Sequence, residues 1–174
     1  MENIKLHHIY TLELGPLTIT VDGVSKTLTN VILNGRSSYV IVQDLIAQHL
    51  GLLNNSEGSD SDLKSKNGIK FEAKKIPQGK KDLFHTAPSC MFGNNSSVNT
   101  FKKKLTNSYN EALEFCKEKG YNKNDYYIYH WNTLTQLNFI VVPKDFVIAN
   151  LDKHDPRLIS TKIILESGNN NANQ

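Results

Sequence analysis

Between Ser56 and Lys75 the chain runs SEGSDSDLKSKNGIKFEAKK: three carboxylates at Glu57, Asp60 and Asp62, a polar turn containing Gly68, and a return that ends Glu72-Ala73-Lys74. No other stretch restricts the fold as much. The return reads as a short strand, and residues two apart on a strand share a face. Glu72 and Lys74 therefore stand side by side while Ala73 points away. An acid and a lysine on one face are costly to bury and well suited to meeting a phosphate.

The length of 174 residues fits one domain around one core, expected over residues 1–167, with the polar GNNNANQ of 168–174 as a tail that has nothing to bury. An apolar fraction of 39% with 21% charged residues excludes a wholly disordered chain and a membrane one. No apolar run approaches a membrane span, and MENIKLHH lacks the apolar stretch of a secretion signal, so the expected location is cytoplasmic. Cys90 and Cys116 have no C-x-x-C spacing and read as free thiols. The net charge of +3 is mild, but lysines cluster at Lys74, Lys75, Lys80 and Lys81 and again at Lys102, Lys103 and Lys104. Such local density suits a polyanion, although solvated surface lysines are its commoner fate.

The pattern along the chain predicts a mixed α/β domain. IYTLEL, LTITVDG and KTLTNVIL read as a small antiparallel hairpin or meander over roughly residues 9 to 33, with Gly-Pro and Asp-Gly turn signals. YVIVQDLIAQHLG follows a Ser N-cap candidate and places Val42, Leu45, Ile46 and Leu50 at helical spacing, with Gly51 to close it. TNSYNEALEFCKEKG reads as a helix, DYYIYHWN and LTQLNFIVV as paired strands, VPKDFVIANL as a short helix or turn, and TKIILES as a last strand. His7 and His8 read as an exposed start, and His130 and Trp131 as core or sheet-face residues.

Phosphodiester hydrolysis needs a cation on the phosphate, an activated water in line and a protonated leaving oxygen. Mg²⁺ takes carboxylate oxygens and keeps several waters. Asp60 or Asp62 together with Glu72 would supply the carboxylates, the Ala73 carbonyl a third oxygen, and Lys74 would hold the attacking water. The same residues also fit a solvent-facing hairpin with cross-strand ion pairs, Asp60 or Asp62 with Lys74 and Glu72 with Lys70. Glu57 either supports a second metal or caps the loop.

The acid, spacer and Glu-x-Lys pattern resembles that of the PD-(D/E)xK nucleases. Glu57-Gly58-Ser59-Asp60, the Gly68 turn and Phe71-Glu72-Ala73-Lys74 look like the catalytic hairpin of the small blunt-cutting type II restriction endonucleases. Phe84-His85-Thr86 falls where those enzymes carry a base-reading segment, and Tyr126 to Val142 followed by Pro143-Lys144-Asp145 is similar to their closing strands. The resemblance implies a restriction-endonuclease-like core, a central mixed sheet flanked by helices, in a Mg²⁺-dependent homodimer that cuts double-stranded DNA at a short site. The Glu-Gly-x-Asp match puts Asp60 on the first metal ligand, whereas spacing to Glu72 favours Asp62; the motif match makes Asp60 the preferred ligand, with Asp62 close behind. The strand-rich first part does not look like the helical dimerisation region of the small enzymes.

For DNA contact, His85 and Thr86 are candidate base readers, since imidazole and hydroxyl both donate and accept. Lys75, Lys80, Lys81, Lys102 and Lys103 are candidate phosphate contacts. Alternative readings are the catalytic small subunit of a two-chain restriction enzyme, a structure-specific nuclease, or a DNA-binding module that has lost the chemistry.

Overall fold

Strands 8 and 9 of the chain account for most of the architecture. The computed structural model describes residues 4–16, 18–27, 39–55, 61–79, 82–85, 124–154 and 158–169. Within these, β8 (Tyr126–Asn132) and β9 (Gln136–Pro143) form an antiparallel hairpin closed by Thr133, whose hydroxyl accepts from the backbone N–H groups of Thr135 and Gln136. Leu137, Phe139, Ile140, Val141 and Val142 are all fully buried. A strand apolar on successive residues must be covered on both faces.

The sheet built on this hairpin has six strands in the order β1-β9-β8-β6-β5-β4, where β1 is Ile9–Glu13, β4 Leu53–Asn54, β5 Leu63–Lys64 and β6 Lys70–Lys75. β6 joins β8 in parallel and every other pairing in this sheet is antiparallel. The chain is thus mixed α/β with a mixed sheet.

One face carries Phe71, Ala73, Ile128, Phe139 and Val141 under helix α1 (Tyr39–Leu50), which contributes Val42, Ile46 and Ala47. YVIV, which also has strand character, is helical because its period buries this stripe. Gly51 closes α1 in a left-handed conformation (φ 65°), with Leu52 N–H bonded to Ala47 and Gly51 N–H to Gln48. The Ser N-cap candidate lies outside the described residues. The opposite face carries Tyr127, Tyr129, Ile140 and Val142. It is covered by helix α2 (Lys144–Ala149), helix α3 (Thr161–Asn169) and a second small sheet of β7 (Leu83–His85) with β10 (Leu158–Ser160).

Two expectations are corrected and one is narrowed. Of the hairpin or meander expected near the N-terminus the hairpin forms: β2 (Thr18–Val21) and β3 (Val24–Thr27) pair across a turn on Asp22-Gly23, both at positive φ, while β1 does not join them and crosses to pair with β9. Residues 28–33 of that expectation lie outside the described residues. TKIILES is helical rather than a strand, because Ile164 on the helix reaches the core. His7 is half-buried with its ring edge-on to Phe146 at 4.7 Å, and burial lowers its pKa; His8 is exposed.

Gly168 sets how closely α3 approaches the sheet. A β-carbon there would lie 2.6 Å from Ile9 Cγ1 and 3.1 Å from Ile140 Cδ1. Overpacking of this kind costs about 1–3 kcal/mol, against up to about 1 kcal/mol gained from helix propensity. Gly168→Ala should lower stability in urea by about 1 kcal/mol, with part of the loss recovered by adding Ile9→Val. A more stable Gly168→Ala variant would show that the contact is loose.

Candidate active site

The β5–β6 hairpin is closed by Gly68 at φ 84°, with Gly68 N–H bonded to the Ser65 carbonyl at 3.0 Å and Ser65 N–H to that of Ile69 at 2.8 Å. Its register pairs Lys64 with Lys70 and Leu63 with Phe71. One step further along the ladder, Asp62 comes opposite Glu72. The Asp62 carboxylate accepts the Ala73 N–H at 2.9 Å on one oxygen and the Tyr39 hydroxyl on the other. Burial, and then the bond to Asp62, raise the Tyr39 hydroxyl above the ordinary tyrosine range, so it remains a donor. Because N–H and C=O of one strand residue point to the same edge, the Ala73 carbonyl faces the Asp62 side as well.

Glu72 is buried at 4% exposure, and Lys74 reaches its Oε1 from Nζ at 2.5 Å. The Ala73 side chain packs into the core under α1. Glu72 and Lys74 do stand on one face, but that face is the packed one: in the parallel register Glu72 neighbours Tyr127 and Lys74 neighbours Tyr129. Asn124 is fully buried and donates from Nδ2 to Glu72 Oε2 at 3.4 Å. Its own amide oxygen has no partner among the described residues. The solvent-facing hairpin with Lys74 paired across to an acid is therefore not what forms; Lys74 pairs with Glu72 of its own strand.

Asp62, Glu72 and the Ala73 carbonyl are a donor set of hard oxygens, and the unpartnered Asn124 oxygen adds a fourth near Glu72. This chemistry fits Mg²⁺, which needs one or two carboxylates and retains water. Among the described residues no group of three His, Cys, Asp or Glu side chains gathers at one place, so a site fully enclosed by such ligands is not built from them. Asp60 and Glu57 lie outside the described residues.

Beyond the end of β6 an open groove of about 500 Å³ is lined by Lys75, Pro77, Leu83, Phe84, His85 and Leu158. Pairing of β7 with β10 sets His85 opposite Leu158 and leaves its imidazole exposed. Two residues singled out as DNA contacts, Lys75 and His85, thus share one groove next to the Glu72–Lys74 strand. Burial lowers the Lys75 ammonium pKa. Lys80, Lys81, Thr86, Lys102 and Lys103 lie outside the described residues, as do the expected helix at 106–120 and both cysteines.

No family model, curated protein or solved structure matches this chain. The site is consequently read from its own geometry. Sequence reasoning missed Tyr39, Asn124 and Tyr129. Tyr39 carried the weak signal of a polar aromatic at the start of a helix; Asn124 and Tyr129 reach Glu72 only through the β6–β8 pairing and left no local trace.

His130 lies beside Lys75 in the same register and is buried. Burial first, then the charges of Lys75 and Lys74, push its pKa down to about 4. The folded value is below the unfolded one, so the neutral ring favours folding above about pH 6.5 and that contribution is lost as pH falls towards about 4.

Proposed function

We infer that this chain is a Mg²⁺-dependent endonuclease of the PD-(D/E)xK type that hydrolyses phosphodiester bonds of double-stranded DNA at a short specific site, in the manner of type II restriction enzymes and as a homodimer. The observation that carries the reading is the β5–β6 register that sets Asp62 opposite Glu72, with the Asp62 carboxylate on the Ala73 N–H and Lys74 paired to Glu72. The central mixed sheet with helices on both faces is consistent with a restriction-endonuclease-like core.

Mg²⁺ bound there supplies charge neutralisation at the phosphate and a more acidic water. Asp62 and Glu72 would hold it, with the Ala73 carbonyl as a third oxygen. Lys74 would hold the attacking water in place by hydrogen bonding. Tyr39 and the Ala73 N–H fix the Asp62 carboxylate so that little reorganisation is needed at the moment of attack. Lys75 and His85 in the adjoining groove meet the DNA, the ammonium on phosphate and the imidazole on a base edge.

Digestion of mixed DNA with the purified chain and Mg²⁺, followed by sequencing of the ends, tests this directly. Defined ends on both strands are expected. Nicking of one strand would favour the small-subunit reading, and specific binding with no cleavage the DNA-binding module. Within the reading, His85→Ala should weaken cognate binding by roughly 1 to 3 kcal/mol and relax preference at one base pair, while Lys75→Ala should weaken all sequences alike and lower the salt slope by about one. Equal, sequence-blind losses from both variants would remove His85 from the base-reading role.

A further inference from the structure

Tyr129 rises from the same sheet face as Lys74, its direct neighbour across the parallel pairing of β6 and β8. Its ring is fully buried, edge-on to Phe84 at 5.5 Å and stacked on Tyr127 at 6.2 Å. The hydroxyl nevertheless has no hydrogen-bond partner among the described residues. A buried hydroxyl without a partner is destabilising, and phenylalanine would fill the same volume without that cost. Such a group makes physical sense if its partner arrives in another state of the site.

Lys74 is the neighbour with reason to move. Its ammonium lies 2.5 Å from Glu72 Oε1, and a divalent cation held by Glu72 competes with it for the same carboxylate. Asn124 holds the other oxygen, so the carboxylate stays anchored while its first oxygen changes partner. We propose that Tyr129 is a positioning residue that gives Lys74 a second seat: when a divalent cation takes Glu72, the ammonium swings to the Tyr129 hydroxyl oxygen, which accepts its hydrogen bond and keeps it inside the site. The proposal rests on the reading of Asp62, Glu72 and Lys74 as a metal-dependent site. Burial, then Tyr127 and Glu72, hold the Tyr129 hydroxyl well above the ordinary range, so it remains a neutral group whose oxygen accepts.

The test is a calorimetric titration of Mn²⁺ into the full chain as wild type, Tyr129→Phe, Lys74→Met and the double variant. Lys74→Met should bind several-fold more tightly, its competitor being gone. Tyr129→Phe should bind on the order of tenfold more weakly, because the ammonium then has nowhere to go but Glu72. In the Lys74→Met background the Tyr129 change should alter affinity by less than about twofold. The melting temperature of Tyr129→Phe without added cation should equal or exceed that of wild type. A lower one would mean the hydroxyl already has a partner, and would overturn the proposal. So would an equal Tyr129 effect in both Lys74 backgrounds, or none in either, with the metal site itself left standing. Wild type that binds no Mn²⁺ would remove the site reading and this proposal together.

Discussion

Asp62→Asn should lower DNA cleavage at least about a hundredfold, whereas Asp60→Asn should leave it within a few-fold of wild type. The two acids were divided by motif and spacing, and the hairpin register brings Asp62 opposite Glu72 with its carboxylate on the Ala73 N–H at 2.9 Å. Asparagine keeps the volume and one acceptor oxygen, so the Tyr39 or the Ala73 bond survives while the charge that binds a cation is lost. Because hydrogen bonds to a charged group are worth about 1.5–3 kcal/mol, some loss of stability accompanies the change. Urea unfolding must therefore be measured alongside, and cleavage compared at a temperature where both variants are folded. Tyr39→Phe separates the contributions: it removes one donor to Asp62 and should reduce cleavage far less than Asp62→Asn. Cleavage at the wild-type rate by both aspartate variants would take the hairpin out of the chemistry altogether.

Lys74→Ala should collapse single-turnover cleavage by about two to four orders of magnitude while cognate DNA is still bound in Ca²⁺, which fills a carboxylate site without supporting efficient hydrolysis. In the proposed mechanism the ammonium acts on the water in the transition state, so its loss falls on turnover rather than on binding. Glu72→Gln should differ in kind. It weakens the metal site itself, and part of its lost activity should return as Mg²⁺ is raised. Removing Lys74 also leaves Glu72, at 4% exposure, without its closest cation, so the variant should be less stable than wild type unless a divalent cation is supplied. Cleavage measured against Mg²⁺ concentration, with gel-shift binding in Ca²⁺, distinguishes the two. Near-normal cleavage by Lys74→Ala would return the Glu72–Lys74 pair to a structural role.

Where the pattern was local, it was readable. The alternation of Phe71 to Lys75 placed Glu72 and Lys74 on one face, Asp22-Gly23 turned a hairpin, Gly51 ended α1, and the β8–β9 pair followed from its aromatic and β-branched runs. What could not be read depended on partners far away in sequence. β1 looks like a strand but does not say that it pairs with β9, and TKIILES is a short apolar run whose period fits either element until Ile164 finds the core. The same holds for the site. Its two strand residues were legible, but the burial of Glu72 was not, because Asn124, Tyr127 and Tyr129 provide it across a pairing that leaves no mark near residue 72.

That pairing of β6 with β8 has a consequence for how the protein comes to be competent. The acidic hairpin closes through a tight turn on Gly68 and can form early and locally, whereas β6 and β8 meet only after the whole stretch from Ile76 to Asp125 has been looped back, at an entropic cost that local contacts do not share. Asp62, Glu72 and Lys74 are thus assembled first as an exposed, water-screened group. They acquire their low-dielectric surroundings only when β8 docks. A chain emerging during synthesis carries the acids and the lysine before it carries the strand that buries them, so the low-dielectric setting of Glu72 arrives with a long-range contact and not with the hairpin.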